Sequence, residues 1–174
     1  EHKYQQVNAM EKAKKVIEEV GKEYGKISGR EYGIIDAYKL DDADMAIVVL
    51  NSAAGSSKGV ADKLRSRGIK AGVLMPRAFR PFPYEAIQDA LKGVKAVAVL
   101  DRAETFSTTG GPMFSEIRTI LYDLKDDINV VNYVYGLGGR DLRLEDVESV
   151  YNDLGDIIKT GKVDKFVRYL GLRG

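Results

Sequence analysis

Four short apolar runs alternate with helical patterns along most of the chain, and this alternation constrains the fold more than any other feature. The runs, rich in Val, Leu and Ala, lie at residues 45–50, 71–74, 96–100 and 129–134. Such runs are typical of strands buried on both faces of a parallel sheet. The helical patterns follow at residues 57–67, 84–91, 112–124 and 144–158. The sequence therefore predicts an α/β fold of three layers, α/β/α, around a mostly parallel sheet of about five strands.

Both ends of the chain lie outside this alternation. Apolar residues recur at helical spacing over residues 6–25, and residues 32–38 predict one further short strand. Residues 162–170 carry an apolar stripe that predicts a short helix or an extended tail. We expect three parts: an N-terminal helix and linker from a preceding domain at 1–30, an α/β domain at 31–158 and a C-terminal docking tail at 159–174. The absence of an initial Met adds the expectation that the chain is a piece of a longer protein.

The composition argues against several kinds of site. Lys and Arg number 27 against 26 Asp and Glu, so the chain lacks the basic field expected of nucleic-acid or membrane-surface binding. It has no cysteine, and its one histidine, His2, stands next to the first residue. Thiolate metal sites and histidine acid–base catalysis are therefore not expected. No acidic spacing resembles a calcium loop, and no apolar run has the length of a membrane span. We expect no metal site, no nucleic-acid partner and no membrane partner.

A stiff loop follows the second apolar run. Residues 75–83 contain three prolines, each of which fixes φ and removes a backbone donor. Arg77 and Arg80 are therefore held in set directions at the carboxyl end of a strand, where open α/β sheets place ligands or partners. We predict that both arginines contact a partner or an anion, and that Pro81 and Pro83 shape the loop.

A glycine-rich segment precedes the last predicted helix. Gly138 and Gly139, which we expect to shape this loop, stand directly before Arg140 and Asp141. Arg140 could bind an anionic ligand or a partner carboxylate through its planar guanidinium, with Asp141 beside it. The alternative is an internal Arg140–Asp141 pair that stabilises the loop, and the residues alone leave both interpretations open.

Two further strand ends carry polar residues. Residues 51–59 could hold an anion at a helix N-terminus, although a tight turn with Ser56 or Ser57 as N-cap is the simpler interpretation. Asp101 and Arg102 end the third run. Arg102 is a further candidate for contact with an anion or a partner. Asp101 either lines a crevice with its neighbours or fixes the geometry of a loop capped at Thr109 or Gly110.

Several of these segments, in this order and spacing, resemble a known family. Residues 77–83, 91–102 and 136–141 are similar to the C-terminal half of the alpha subunit of pyruvate:ferredoxin oxidoreductase and its 2-oxoacid relatives. Residues 166–173 resemble the end of the pyruvate-type alpha chain. The resemblance implies a transketolase-C-terminal-like fold. It has one local departure, because Arg143 stands where the family commonly has a Thr or Ser that caps the last long helix.

The resemblance also implies a function. The whole enzyme would use thiamine diphosphate to decarboxylate a 2-oxoacid oxidatively, pass electrons through iron–sulfur clusters to ferredoxin and, with pyruvate, form an acyl-CoA in the cytoplasm. This chain would bind none of these groups alone, since it has no cysteine and no Gly-Asp-Gly motif for the magnesium diphosphate. It would supply no catalytic residue, and it would organise the assembly through arginines that contact other domains or subunits.

Two alternatives remain beside this interpretation. The first is a related oxidoreductase that acts on oxalate or another 2-oxoacid. The second is a stand-alone module that binds CoA or a similar anion in the strand-end crevice, aided by the helix start at Ser56 and Ser57. A free-standing enzyme has less support, because the chain has no cysteine, no usable histidine and no G-x-S-x-G motif.

Overall fold

The computed structural model describes residues 1–124 and 127–172, and a six-stranded sheet lies at its centre. The strands are β1 (Ile35–Tyr38), β2 (Met45–Val49), β3 (Ala71–Pro76), β4 (Ala96–Asp101), β5 (Asn129–Val134) and β6 (Val167–Tyr169). Their order across the sheet is β1-β3-β2-β4-β5-β6. Only β1 is antiparallel to its neighbour, so the predicted mostly parallel sheet is confirmed, with one strand more than expected.

Helices cover both faces of this sheet. They are α1 (His2–Ser28), α2 (Ala53–Arg65), α3 (Tyr84–Leu91), α4 (Pro112–Tyr122) and α5 (Leu144–Thr160), with a 3-10 turn at Leu137–Gly139. One apolar core joins α2 and α5 to the sheet, and a second core joins α3 and α4 to the opposite face. The three-layer architecture is therefore confirmed. No helix in the described residues combines the length and the apolar character that crossing a membrane requires.

The central strand β2 shows why an unbroken apolar run is needed. All five of its residues are buried, and they alternate between the two cores. Met45, Ile47 and Val49 pack towards α2 and α5, whereas Ala46 and Val48 pack towards α3 and α4. Burial of a Val or Ile side chain contributes roughly 1.5 to 3 kcal/mol, so a charged residue at Val48 would break this packing.

Helix α2 begins earlier than predicted. Asn51 turns the chain with a φ of 57°, and the helix starts at Ala53 instead of residue 57. Ser57 is buried inside the helix, where its Oγ donates a hydrogen bond to the carbonyl of Ala53 at 2.9 Å. The prediction of an N-cap at Ser56 or Ser57 is therefore wrong, because the helix starts inside residues 51–59 but before both serines.

Helix α1 is longer than the predicted 6–25 and has no buried residue. It ends before Gly29, whose φ of 69° is the left-handed conformation typical of a residue that follows a helix. Its contacts with the rest of the domain include an ion pair between Lys14 and Glu85 at 3.6 Å. The division into domains stays a prediction.

The C-terminal tail takes the extended one of its two predicted forms. Its strand β6 is parallel to β5, with the Asn132 N–H donating to the carbonyl of Phe166 and the Leu170 N–H donating to that of Val134. The tail thus completes one edge of the sheet.

The last long helix keeps part of its cap despite Arg143. The Asp146 carboxylate accepts a hydrogen bond from the Arg143 backbone N–H at 3.0 Å. This hydrogen bond is the acidic half of a capping box. Its donor is the backbone N–H of residue 143, which is present whether that residue is Arg, Thr or Ser.

Candidate interface at the carboxyl ends of the strands

Strands β3, β4 and β5 are parallel and end at the same edge of the sheet. The proline loop, the Asp101–Arg102 pair and the glycine segment follow these three strands. The predicted site residues are therefore brought to one edge, but the structure uses them in different ways.

Arg77 fastens the edge strand β1 to the proline loop. Its Nη2 donates to Asp36 Oδ2 at 2.7 Å, and its guanidinium lies 4.6 Å from the centre of the Tyr32 ring. Asp36 also accepts a hydrogen bond from Lys58 Nζ at 2.9 Å. Burial tends to raise the pKa of Asp36, but the hydrogen bonds from Lys58 and Arg77 outweigh it and hold that pKa below its usual range.

Arg80 is also engaged inside the domain. Its guanidinium pairs with Glu116 of α4, lies 4.6 Å from the centre of the Phe79 ring and donates to the Phe79 carbonyl. Tyr84 donates its hydroxyl proton to the same Glu116 carboxylate at 3.1 Å. The side chain of Arg80 thus links the proline loop to α4, while remaining half exposed.

The prolines hold an aromatic cluster beneath this loop. Pro81 and Pro83 are buried on either side of Phe82, and the Arg80–Pro81 peptide bond is cis. The Phe82 ring meets the edges of Phe79 and Tyr84, with ring centres 5.7 and 5.3 Å away. The two phenylalanines therefore pack under the loop instead of facing a ligand.

Asp101 holds the start of α4. Its carboxylate is buried and accepts hydrogen bonds from the backbone N–H groups of Met113 and Phe114 at 2.9 and 3.0 Å, and from Asn132 Nδ2. Burial raises the pKa of Asp101, against the opposing effect of these hydrogen bonds. The helix is preceded by Gly111, not by a cap at Thr109 or Gly110. Asp101 therefore fixes the geometry of this loop, which is the second of the two roles that the sequence left open for it.

Asn132 completes this arrangement, and the sequence reasoning missed it. Its Oδ1 accepts from the Gly111 N–H at 2.9 Å, and its Nδ2 donates to the Val99 carbonyl. The available signal was an amide side chain in the middle of an apolar run, where an unpaired polar group would be costly.

Arg102 and Arg140 differ from the other two arginines. Both are exposed, and among residues 1–124 and 127–172 neither has a carboxylate within ion-pairing distance. The side chain of Arg102 makes a long hydrogen bond of 3.4 Å, from its Nε to the Gly136 carbonyl. The stem of Arg140 passes over Gly171, where a Cβ would come within 3.0 Å of Cδ. The internal Arg140–Asp141 pair is not formed.

A pocket of about 340 Å³ opens beside Arg140. Its floor and walls come from the end of β5, the glycine turn and the residues that follow β6: Val134, Tyr135, Gly136, Leu137, Arg140, Tyr169, Leu170, Gly171 and Leu172. Gly138 and Gly139, with φ of 66° and 76°, carry the chain from Leu137 to Arg140.

The wall formed by β6 is fastened to the domain by Arg168. Its Nη1 donates to Asp153 at 2.9 Å and to the Tyr133 hydroxyl at 3.1 Å, and its Nη2 pairs with Asp164 at 2.6 Å. Burial, followed by the hydrogen bond to Asp153, raises the pKa of Tyr133. No local spacing of residues predicts this cluster, because its members are 4 to 35 residues from Arg168 along the chain.

The described residues hold no cluster of three or more His, Asp or Glu side chains arranged for a metal ion. Within the described part of the chain, the strand-end edge therefore presents Arg102 and Arg140 without an ion pair, together with the pocket beside Arg140. It can bind an anion or a partner surface.

Solved structures similar to this chain support its fold. A 2-oxoglutarate:ferredoxin oxidoreductase from Magnetococcus marinus, solved with 2-oxoglutarate, coenzyme A and succinyl-CoA bound, is 15% identical with a TM-score of 0.51. The match covers 70% of this chain and 20% of that one. A split-gene transketolase gives a TM-score of 0.52 at 19% identity over 68% of this chain and 41% of that chain. The expected transketolase-like fold is thus confirmed.

Sequence relatives establish the family. The chain is 41% identical to the pyruvate synthase subunit PorA of Thermotoga maritima, covering 99% of this chain and 43% of that subunit. It is 38% identical to the ketoisovalerate oxidoreductase subunit VorA of Pyrococcus abyssi, covering 99% and 44%. The chain thus spans less than half the length of these relatives. Residues 43–147 match the model of the pyruvate:ferredoxin oxidoreductase core domain II, and the chain belongs to this family.

Proposed function

We propose that this chain is the core-domain-II region of the alpha subunit of a 2-oxoacid:ferredoxin oxidoreductase, with pyruvate as the substrate of the whole enzyme. In this proposal the chain organises the assembly and supplies no catalytic residue. The relatives that it matches over 99% of its own length are subunits of such oxidoreductases.

One observation carries the organising role. The buried carboxylate of Asp101 accepts hydrogen bonds from the first turn of α4. Arg102 and Arg140, in contrast, are exposed and form no ion pair in the described part of the chain. An edge with exposed cations and no buried reactive group suits contact with a neighbouring domain or subunit.

The cofactors of the whole enzyme fit poorly on this chain. Iron–sulfur clusters are held by cysteine thiolates, which the sequence lacks entirely. The magnesium ion of thiamine diphosphate would need a Gly-Asp-Gly motif in this family, and the sequence contains none. We therefore assign thiamine diphosphate, magnesium, the clusters and CoA to other parts of the enzyme, with ferredoxin as its electron acceptor and the cytoplasm as its location.

A second substrate class has a specific basis. The identity to the ketoisovalerate oxidoreductase subunit, 38%, is close to the 41% shared with the pyruvate synthase subunit. A branched 2-oxoacid is therefore the alternative substrate of the whole enzyme.

The test is native mass spectrometry of the full-length protein that contains this chain, purified untagged from its source. We expect a complex with cysteine-rich partners and bound thiamine diphosphate. In a ferredoxin-reduction assay, we expect this complex to react faster with pyruvate than with 2-oxoisovalerate. A protein that runs alone and carries its own small ligand would contradict the proposal. Faster reduction with 2-oxoisovalerate would replace pyruvate by a branched 2-oxoacid as the proposed substrate and leave the rest of the proposal unchanged.

A further inference from the structure

We propose that the pocket beside Arg140 receives an acidic segment of a neighbouring subunit, and that a carboxylate of this segment pairs with Arg140 while apolar side chains on either side of it contact Leu137 and Leu172. The proposal rests on the proposed function, because it requires a neighbouring subunit. It assigns a specific contact to one place on the strand-end edge.

The charge at this pocket points to an anionic partner. Arg140 lines it, and the Arg102 side chain lies next to Gly136, which is another lining residue. Of the acidic side chains nearby, Glu104 accepts a hydrogen bond from Tyr169 at the pocket wall. Asp141 forms no ion pair with Arg140 in the described structure. A carboxylate from outside would therefore meet a bidentate donor that has no ion pair among residues 1–124 and 127–172.

The apolar surface around the guanidinium points to a protein segment instead of a small anion. Of the apolar side chains that line the pocket, Leu137 is 49% exposed and Leu172 is 73% exposed. Tyr169 and Tyr135 add aromatic walls. Tyrosine and arginine amid exposed apolar side chains are typical of the centre of a protein interface, where they become dry on binding.

The pocket is formed before a partner arrives. Arg168 fastens one wall to α5 through Asp153, and the Tyr169 hydroxyl is held by Glu104. The opposite wall follows directly from β5. Because these walls are already ordered, binding would lose little conformational entropy, and even a small pocket could contribute usefully to affinity.

The arginine three residues further along the chain provides a matched control. Arg143 is also exposed, but its guanidinium lies by Asp146 of the same helix, at 3.4 Å. Arg143→Glu and Arg140→Glu change the charge of the same loop by the same amount, and only Arg140 lines the pocket.

The experiment compares these two variants in the full-length enzyme with its other subunits. We expect Arg140→Glu to weaken subunit association roughly 30-fold or more in mass photometry at low ionic strength, since one charge of a desolvated pair would be reversed. Arg143→Glu should associate as the wild type does. Circular dichroism checks that the variants fold. Leu137→Asp is a second variant at an exposed position, and it should also weaken association.

The outcomes separate the two proposals. Loss of association in Arg140→Glu and Leu137→Asp, with Arg143→Glu intact, supports the contact. Normal association of Arg140→Glu, or equal loss in both arginine variants, overturns it and leaves the proposed function standing. Should Arg140→Glu fail to fold, normal association of Leu137→Asp overturns the contact. A wild-type protein that never associates with other subunits overturns both proposals.

Discussion

A Cβ atom built on Gly111 would lie 2.1 Å from Cγ of Asp101. The chain entering α4 therefore passes directly over a buried carboxylate, and only glycine leaves room for it. This close approach explains why the acidic residue at the end of β4 serves the fold, since its carboxylate accepts hydrogen bonds from the first turn of α4.

Gly111→Ala should lower the free energy of unfolding by about 1 to 3 kcal/mol, because the added methyl group must displace a carboxylate that accepts two backbone hydrogen bonds. Gly59→Ala is the control, since a Cβ at Gly59 in α2 would meet nothing within 4 Å. That variant should be neutral or more stable by roughly 0.5 to 1 kcal/mol. Urea denaturation measures both, and equal stability of the two variants would contradict this account.

The ion pairs of Asp36 should make stability depend on acid pH. Because Lys58 and Arg77 hold the pKa of Asp36 below its unfolded value of about 3.9, their contribution is complete above that pH and is lost as the pH falls through the folded pKa. Asp36→Asn should therefore be less stable than the wild type at neutral pH, by roughly 1 to 2 kcal/mol. This difference should shrink as the pH is lowered below about 4.

The control for this measurement is Asp89→Asn, which changes an exposed carboxylate with no ion pair in residues 1–124 and 127–172. Its stability should follow that of the wild type across the same pH range. A gap between wild type and Asp36→Asn that stays constant down to strongly acid pH would rule out the ion-pair explanation.

Arg168→Ala should loosen β6 without unfolding the domain, because it removes the hydrogen bonds to Asp153, Tyr133 and Asp164. Hydrogen exchange should accelerate at the amides of Asn132 and Leu170, which bond across β5 and β6, and stay unchanged in β2. Lys165→Ala, at an exposed neighbouring position, should change neither. Unaltered exchange in Arg168→Ala would show that the strand pairing alone holds the tail.

Gly171→Ala and Gly138→Ala form a pair that separates backbone strain from contact. Both glycines have positive φ, 71° and 66°, so alanine should cost a similar amount, roughly 1 to 2 kcal/mol, at either position. Only at Gly171 would the new Cβ press on Arg140. Subunit association, measured by mass photometry, should fall more for Gly171→Ala, and equal effects would argue against a role for the position of Arg140.

Local pattern was sufficient for the layers of this fold. The run at residues 45–50 is apolar without interruption, and burial on both faces is the arrangement that removes all of its side chains from water. The start of α2 was predicted four residues late, because the left-handed turn at Asn51 leaves no periodic signal. The strand β6 was ambiguous for a related reason, since three residues are too few to show a period.

The chain by itself determined that arginines stand at the strand ends; only the tertiary structure decided which of them are already paired. Arg77 meets Asp36 and Arg80 meets Glu116 across 41 and 36 residues of sequence. Arg140 stands beside Asp141 and yet forms no pair with it in the described structure. An ion pair depends on the distance between side chains in space, which the packing of β1 and α4 against the sheet sets, and no local spacing of charges contains that distance.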